Sequence, residues 1–198
     1  MRNVYLLGDS VFDNGVYVDG GQDVAAQLRE RMGPEDQVTL LAVDGSVTAE
    51  VSKQIRNIGA ECTHIVVSSG GNDALALQSL LYDTESSGPE LLLQLSKAAA
   101  QFRAEYGRLA ARIQECERPM ALCTVYEGNF EDPVAQLVPA AIAAFNDAIY
   151  RVATAFSTPV IELRDVCTES ADYANEIEPS VAGGAKIASA IAEWVERS

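Results

Sequence analysis

The sequence predicts an α/β fold in which a parallel sheet is covered by helices on both faces. Two observations predict it. Short β-branched or aliphatic runs alternate with longer stretches of helical period, the order that feeds parallel strands through helical crossovers. The chain also has 198 residues, 48% of them hydrophobic, enough for one compact core and short for two. One domain over residues 1–198 is therefore expected.

The candidate strands are residues 3–7, 37–42, 63–68, 120–125 and 159–163. Helical patterning covers 21–32, 48–57, 89–116, 133–156 and 181–195. Asp132 followed by Pro133 reads as an N-cap with proline at the first helical position, where a missing N–H costs nothing. Pro139 lies inside the same pattern and is expected to kink or split that helix. In the last helix Val181, Ala185, Ala188, Ile191 and Val195 recur at three- and four-residue spacing, which gives one apolar face to lay on the sheet. Residues 84–89 are polar and rich in breakers. They read as a loop, because patterning of the same type resumes after them.

Formal net charge is −15, from 14 Lys and Arg against 29 Asp and Glu. Like charges repel over about 8 Å at physiological salt, so phosphate backbones and anionic membrane surfaces are disfavoured partners. Neither nucleic acid nor membrane is expected as a partner, and no apolar run approaches the roughly 20 residues of a membrane span. No basic segment and apolar stretch precede the first strand-like run at Asn3, so a cytoplasmic location is expected unless a leader precedes these residues. Cys62, Cys116, Cys123 and Cys167 form no C-x-x-C pair and read as small buried hydrophobes. His64 is the only histidine; with no metal-ligand spacing around it, no metal is expected.

In a doubly wound parallel sheet the functional crevice lies beyond the carboxyl ends of the strands. Four loops fall there: Gly8-Asp9-Ser10-Val11-Phe12-Asp13-Asn14, Asp44-Gly45-Ser46, Ser69-Gly70-Gly71-Asn72-Asp73 and Tyr126-Glu127-Gly128-Asn129. Each has an ordinary explanation. Gly-Asp-Ser after a strand makes a turn, and Gly-Gly-Asn-Asp makes a helix start with Asn72 or Asp73 as cap. Asp13, Asp73 and Glu127 read as turn or cap residues, with Glu127 also placed to line a pocket walled by Tyr126 and Phe130. Taken together, the loops hold what acyl transfer needs. Ser10 offers a hydroxyl at a strand end, and the N–H groups of Ser10 and Gly45 with the Asn72 amide can converge as an oxyanion hole.

In these segments the chain resembles the SGNH hydrolases, the GDSL-like lipases and esterases. Gly8-Asp9-Ser10 is similar to that family's first block with its nucleophile, Gly45 to its second, and Gly71-Asn72-Asp73 to its third, whose asparagine completes the oxyanion hole. Glu178-Pro179-Ser180-Val181-Ala182-Gly183 resembles the last block, usually Asp-x-x-His-Pro-Ser-x-x-Gly ahead of the final helix. The resemblance spans residue 8 to about residue 190. It implies a three-layer α/β/α sandwich around a five-stranded parallel sheet, the flavodoxin-like arrangement. It also implies hydrolysis of a small-molecule ester or thioester without metal or cofactor. No G-x-S-x-G elbow is present, against a conventional α/β-hydrolase. Missing G-x-G-x-x-G and P-loop signatures count against a nucleotide binder.

The departure is in the last block. Aligning Pro179-Ser180 puts Glu178 where the family has its histidine and Asn175 where it has the partner aspartate. His64 is no substitute: it opens the third strand, and seven or eight residues at 3.3 Å each put it roughly 25 Å from Asn72. It reads as structural. Glu178 is the candidate proton acceptor. A carboxylate with an ordinary pKa of about 4.3 is a poor base for a serine, but burial or neighbouring carboxylates raise it, and Glu176 and Asp172 are near in sequence. Two readings stay open: a serine esterase with Glu178 as base, and a binding module for acyl, acetyl or carboxylate ligands in which Glu178 only hydrogen-bonds Ser10.

Overall fold

The two fully buried strands form the centre of the sheet. In the computed structural model, which describes residues 1–198, β1 (Asn3–Gly8) and β3 (His64–Ser68) are buried at every residue. They lie side by side, Val4 opposite His64 and Gly8 opposite Ser68. β2 (Gln37–Leu40) flanks β1, while β4 (Met120–Cys123) and then β5 (Val160–Ile161) extend the other side. All pairings are parallel and the order is β2-β1-β3-β4-β5, so the winding reverses between β1 and β3. β2, β4 and β5 are shorter than the sequence suggests; β5, at an edge, pairs only through Val160 and Ile161.

Seven helices accompany the strands: α1 (Val24–Arg31), α2 (Thr48–Gln54), α3 (Gly71–Leu75), α4 (Gly88–Gln114), α5 (Val134–Ala155), α6 (Leu163–Val166) and α7 (Val181–Arg197). Successive strand residues point to opposite faces, and this alternation sorts the core. Val4, Leu6, Val66, Ala121 and Cys123 face α1 and α7 through Val24, Leu28, Ile187 and Ile191. Tyr5, Leu7, Ile65, Val67 and Leu122 face α2, α4 and α5 through Val51, Tyr106, Leu109 and Ile149. Three layers result.

Several local expectations change. Asp132 does not cap α5: Pro133 holds the cap position after a cis Asp132–Pro133 bond, and no side chain caps there. Pro139 does not split α5, which runs through it; the bond it forfeits lies in the second turn, and apolar packing by Val138 and Ile142 spans the gap. α4 begins earlier, at Gly88, because Ser87 and Glu90 form a capping box. α1 begins later, at Val24, where Asp23 accepts from the Ala26 N–H at 2.6 Å. α3 and α6 are too short for a periodic signal.

His64 is buried with its ring edge-on to Trp194 at 5.7 Å and Nδ1 2.8 Å from the Thr63 hydroxyl, a structural setting. The four cysteines are free thiols, Cys62, Cys123 and Cys167 buried and Cys116 half-buried. No helix is long and apolar enough to cross a membrane.

Candidate active site

Ser10 sits two residues past the end of β1, at the point where the winding reverses. Gly8 permits this. Its φ is +146°, and a Cβ there would lie 2.0 Å from the Ser68 carbonyl oxygen of β3. The Gln54 amide clamps the same residue, accepting from Gly8 N–H at 2.9 Å and donating to its carbonyl at 2.8 Å. Asn146 clamps Val125 beyond β4 in the same way, at 2.8 and 2.9 Å.

Side chains tie the loops to one another. Asn72 Nδ2 donates to the Ser46 carbonyl at 3.1 Å. Asp73 accepts from the Thr48 N–H and hydroxyl, both at 3.0 Å, and Thr48 meets Ser69 at 2.8 Å. Asp13 accepts from the Asp44 N–H at 2.9 Å. The expected turn and cap roles of Asp13 and Asp73 are thus bonds between loops. Fully buried Asn14 accepts from the Val24 N–H and donates to the Pro179 carbonyl, both at 3.0 Å, which joins the Ser10 loop to the segment carrying Glu178. Asn175 accepts from the Ile177 and Glu178 N–H groups at 2.9 and 2.8 Å; it shapes the turn under Glu178 instead of touching its carboxyl. Ser180 caps α7. A Cβ on Gly183 would meet the Asp172 carbonyl oxygen at 2.1 Å, so this turn requires glycine.

These contacts bring Ser10, Asn72 and Glu178 to the wall of one cavity of about 480 Å³, within the range of small-molecule sites. Gly45 is not in that wall; it is exposed beside Ser46, with φ +77°. No loop hydrogen bond uses the N–H of Ser10 or Gly45. The rest of the lining is largely apolar, with Leu91 and Leu95 from α4, Val138 and Phe145 from α5, Leu80 from the segment between α3 and α4, and Tyr126 and Phe130 as expected. Leu92 and Tyr82 also line it and are more than half exposed, so the mouth is apolar too.

Ser10 is 9% exposed and Glu178 4%. Burial pushes the Glu178 carboxyl up, the nearby Ser10 hydroxyl works the other way, and the charge of Asp44 adds to the rise. Glu178 Oε2 is buried without a partner. The hydroxyl is therefore close enough to favour the ionised carboxylate, yet no hydrogen bond of ordinary geometry joins the two. The geometry decides: they are neighbours whose bond is not made. Catalytic bonds are often loose before substrate arrives.

The carboxylates expected to raise Glu178 are elsewhere. Asp172 faces Lys186 at 2.8 Å; burial pushes it up, but Lys186 and the Glu169 and Thr168 N–H groups hold it low. Glu176 contributes its backbone carbonyl to the Asn129 N–H. The acidic neighbour that sequence reasoning missed is Asp9. It is 2% exposed, lines the cavity, and accepts only from the Val11 N–H, at 3.2 Å. Burial raises it to about 7, against that N–H and with the charge of Glu178. The only sequence signal was its place between Gly8 and Ser10. Asn14, Gln54 and Asn146 were also missed; for the last, an amide among Ile142, Phe145 and Ile149 on an apolar face was the available sign. No group of three or more His, Cys, Asp or Glu side chains is placed to hold a metal ion.

The model of the GDSL-like lipase/acylhydrolase family matches residues 6–185. No curated protein matches the sequence. Among solved structures, the chain is similar to an extracellular lipase from Streptomyces rimosus, with 14% identity, TM-score 0.74, 98% of this chain and 99% of that one covered. It is similar to phospholipase A1 from Streptomyces albidoflavus NA297, with 14% identity, TM-score 0.75 and 97% and 98% covered. The acetyl xylan esterase AlAXEase gives 16% identity, TM-score 0.71 and 98% and 99% covered. At these identities the structural likeness is one of fold.

Proposed function

Because the chain belongs to the GDSL-like lipase/acylhydrolase family, we propose that it is a serine hydrolase of esters or thioesters of apolar acyl groups, with Ser10 as nucleophile and Glu178 as proton acceptor. The observation that carries this is the meeting of Ser10, Asn72 and a buried, partly orphaned Glu178 on one apolar cavity. In this reading Ser10 Oγ bonds to the acyl carbon while its proton passes to Glu178. The oxyanion takes hydrogen bonds from the unengaged N–H group of Ser10 and from the second proton of the Asn72 amide, whose first goes to Ser46, while Gly45, outside the cavity wall, is left out of the oxyanion hole. Collapse breaks the carbon–oxygen or carbon–sulfur bond, and Glu178 returns the proton to the leaving alcohol or thiol. Water then repeats the sequence on the acyl-serine. The Streptomyces lipase and phospholipase support an acyl substrate, and the leucine-rich wall supports a chain longer than acetyl.

Hydrolysis of p-nitrophenyl octanoate against pH tests the assignment. Glu178 must be ionised to accept, so the rate rises with pH through a value above the ordinary carboxylate range. Ser10→Ala removes the activity, Glu178→Gln lowers it about 10²- to 10⁴-fold, and Glu178→His restores part of it. An unchanged rate in Ser10→Ala overturns the reading. The unmade Ser10–Glu178 bond favours a second reading, a non-catalytic holder of acyl ligands. Its signature is ligand binding with no Ser10-dependent turnover.

A further inference from the structure

The cavity beside Ser10 is electrically one-sided. Asp9, Asp83, Glu127 and Glu178 line it, and no lysine, arginine or histidine does. Asp172, the one buried carboxylate outside the cavity, meets Lys186 at 2.8 Å, and the half-buried Asp36 and Glu162 meet Arg2 and Arg164, both at 2.6 Å. Glu178 has none. It is 4% exposed, in the cavity wall, and its Oε2 meets no donor. An orphaned buried acceptor is a cost to the fold, the more so when charged, unless something entering the site satisfies it.

We propose that the ligand supplies the missing positive charge: the site takes acyl compounds whose polar end is cationic, such as medium-chain esters of a quaternary-ammonium or amino alcohol, and turns away anionic acyl carriers. The inference rests on the acyl-site reading above. The chain lies along the leucine-lined wall, and the cationic end stands over Glu178 and Asp9. Tyr126 and Phe130 in the same wall are side chains of the kind that hold quaternary ammonium groups by cation–π contact. With no group of side chains fit to hold a metal ion, the charge is assigned to the organic end of the ligand. The arrangement also suits turnover. A bound cation favours the ionised, proton-accepting form of Glu178, whereas a phosphate-bearing leaving group meets two buried carboxyl groups with no cation between them.

Two measurements test this independently of each other. On the Ser10→Ala variant, calorimetric titration with octyltrimethylammonium and with octanoate at pH 7 is expected to give at least about tenfold tighter binding of the cation. Glu178→Gln, or Asp9→Asn if that variant does not fold, shrinks the ratio to about threefold or less. On the wild type, kcat/KM for octanoylcholine exceeds that for its uncharged isostere 3,3-dimethylbutyl octanoate, and an equal or lower value for the choline ester overturns the inference. Equal or reversed binding of the two octyl ligands overturns the inference even where Ser10-dependent hydrolysis of the neutral ester stands. A cation preference that survives in both carboxyl variants also overturns it, since it would come from the overall negative charge. If the cation preference and its loss in the variants appear without any Ser10-dependent turnover, the charge inference holds and the hydrolase reading alone fails.

Discussion

The two ends of the sheet treat acidic side chains differently. Ahead of β1 and β2, Asp36 accepts from the Arg2 backbone N–H at 2.6 Å and pairs with its guanidinium, which holds Asp36 down to about 2. Ahead of β3, Glu61 accepts from Tyr5 and is held low by that bond. Beyond the other ends of β1 and β3, burial pushes Asp9, Asp73 and Glu178 up, and none of them has a cation. Pairing resumes at the edge strand, where burial of Glu162 is outweighed by Arg164, Thr124 and Tyr150 and the group falls to about 2, and beside α7, where Asp172 meets Lys186. An acid held low stabilises the fold, and an acid held high is a cost that the fold bears where the crevice opens. The contrast assigns stability to one end and chemistry to the other.

The largest expected effect breaks the chemical end mechanically. Gly8→Ala puts a Cβ 2.0 Å from the Ser68 carbonyl at a φ that an L-residue rarely adopts, so β1 must part from β3 beneath Ser10. A loss of about 4 kcal/mol follows. Urea denaturation reads it, and hydrolysis per folded molecule falls as well. A stable, fully active Gly8→Ala protein would mean that close approach of β1 and β3 does not position the serine.

Next comes the charge itself. Asp9 keeps its proton up to about 7 in the folded chain and ionises near 3.8 in the ordinary state. Its contribution is fully present below about 4 and is lost as pH rises through about 7. The wild type is therefore expected to lose about 2–4 kcal/mol over that window, and Asp9→Asn to flatten the slope and be the more stable protein at pH 8. The amide still accepts from the Val11 N–H. A slope that persists in Asp9→Asn would put the cost on Glu178 or Asp73.

Legibility in the sequence followed the range of the interaction. β1 and β3 were readable because burial on both faces demands continuous apolar runs; β5 shrank to two paired residues because an edge strand is fixed by its single neighbour. Ser10, Asn72 and Glu178 were readable as types at strand and helix ends, and they share a cavity wall. Gly45 lies outside that wall, since φ and register decide where a glycine stands and neither is written locally. Asp9 read as a turn residue because nothing nearby in the sequence reveals that its carboxyl is dry. Asp172 was misjudged for the converse reason: sequence proximity to Glu178 suggested a neighbour, but one helical turn of α7 turns Lys186 toward it instead.

The smallest effect sharpens the comparison from the stable end. Asp36→Asn keeps an acceptor for the Arg2 N–H but removes the charge opposite its guanidinium. Asp36 sits near 2 when folded against an ordinary 3.8, so its contribution is present above about 4 and is lost as pH falls through about 2, the mirror image of Asp9. Arg2 is 36% exposed, which screens the pair to about 1 kcal/mol. The loss should appear at pH 7 in urea titration and vanish near pH 2, with kcat/KM unchanged. The two acids stand at opposite ends of β1, separated by roughly 20 Å of strand. Effects in the double variant with Asp9→Asn should therefore add to within about 0.5 kcal/mol at every pH. A larger coupling would mean that β1 carries charge effects from one end to the other, and the division between a stabilising end and a chemical end would not hold.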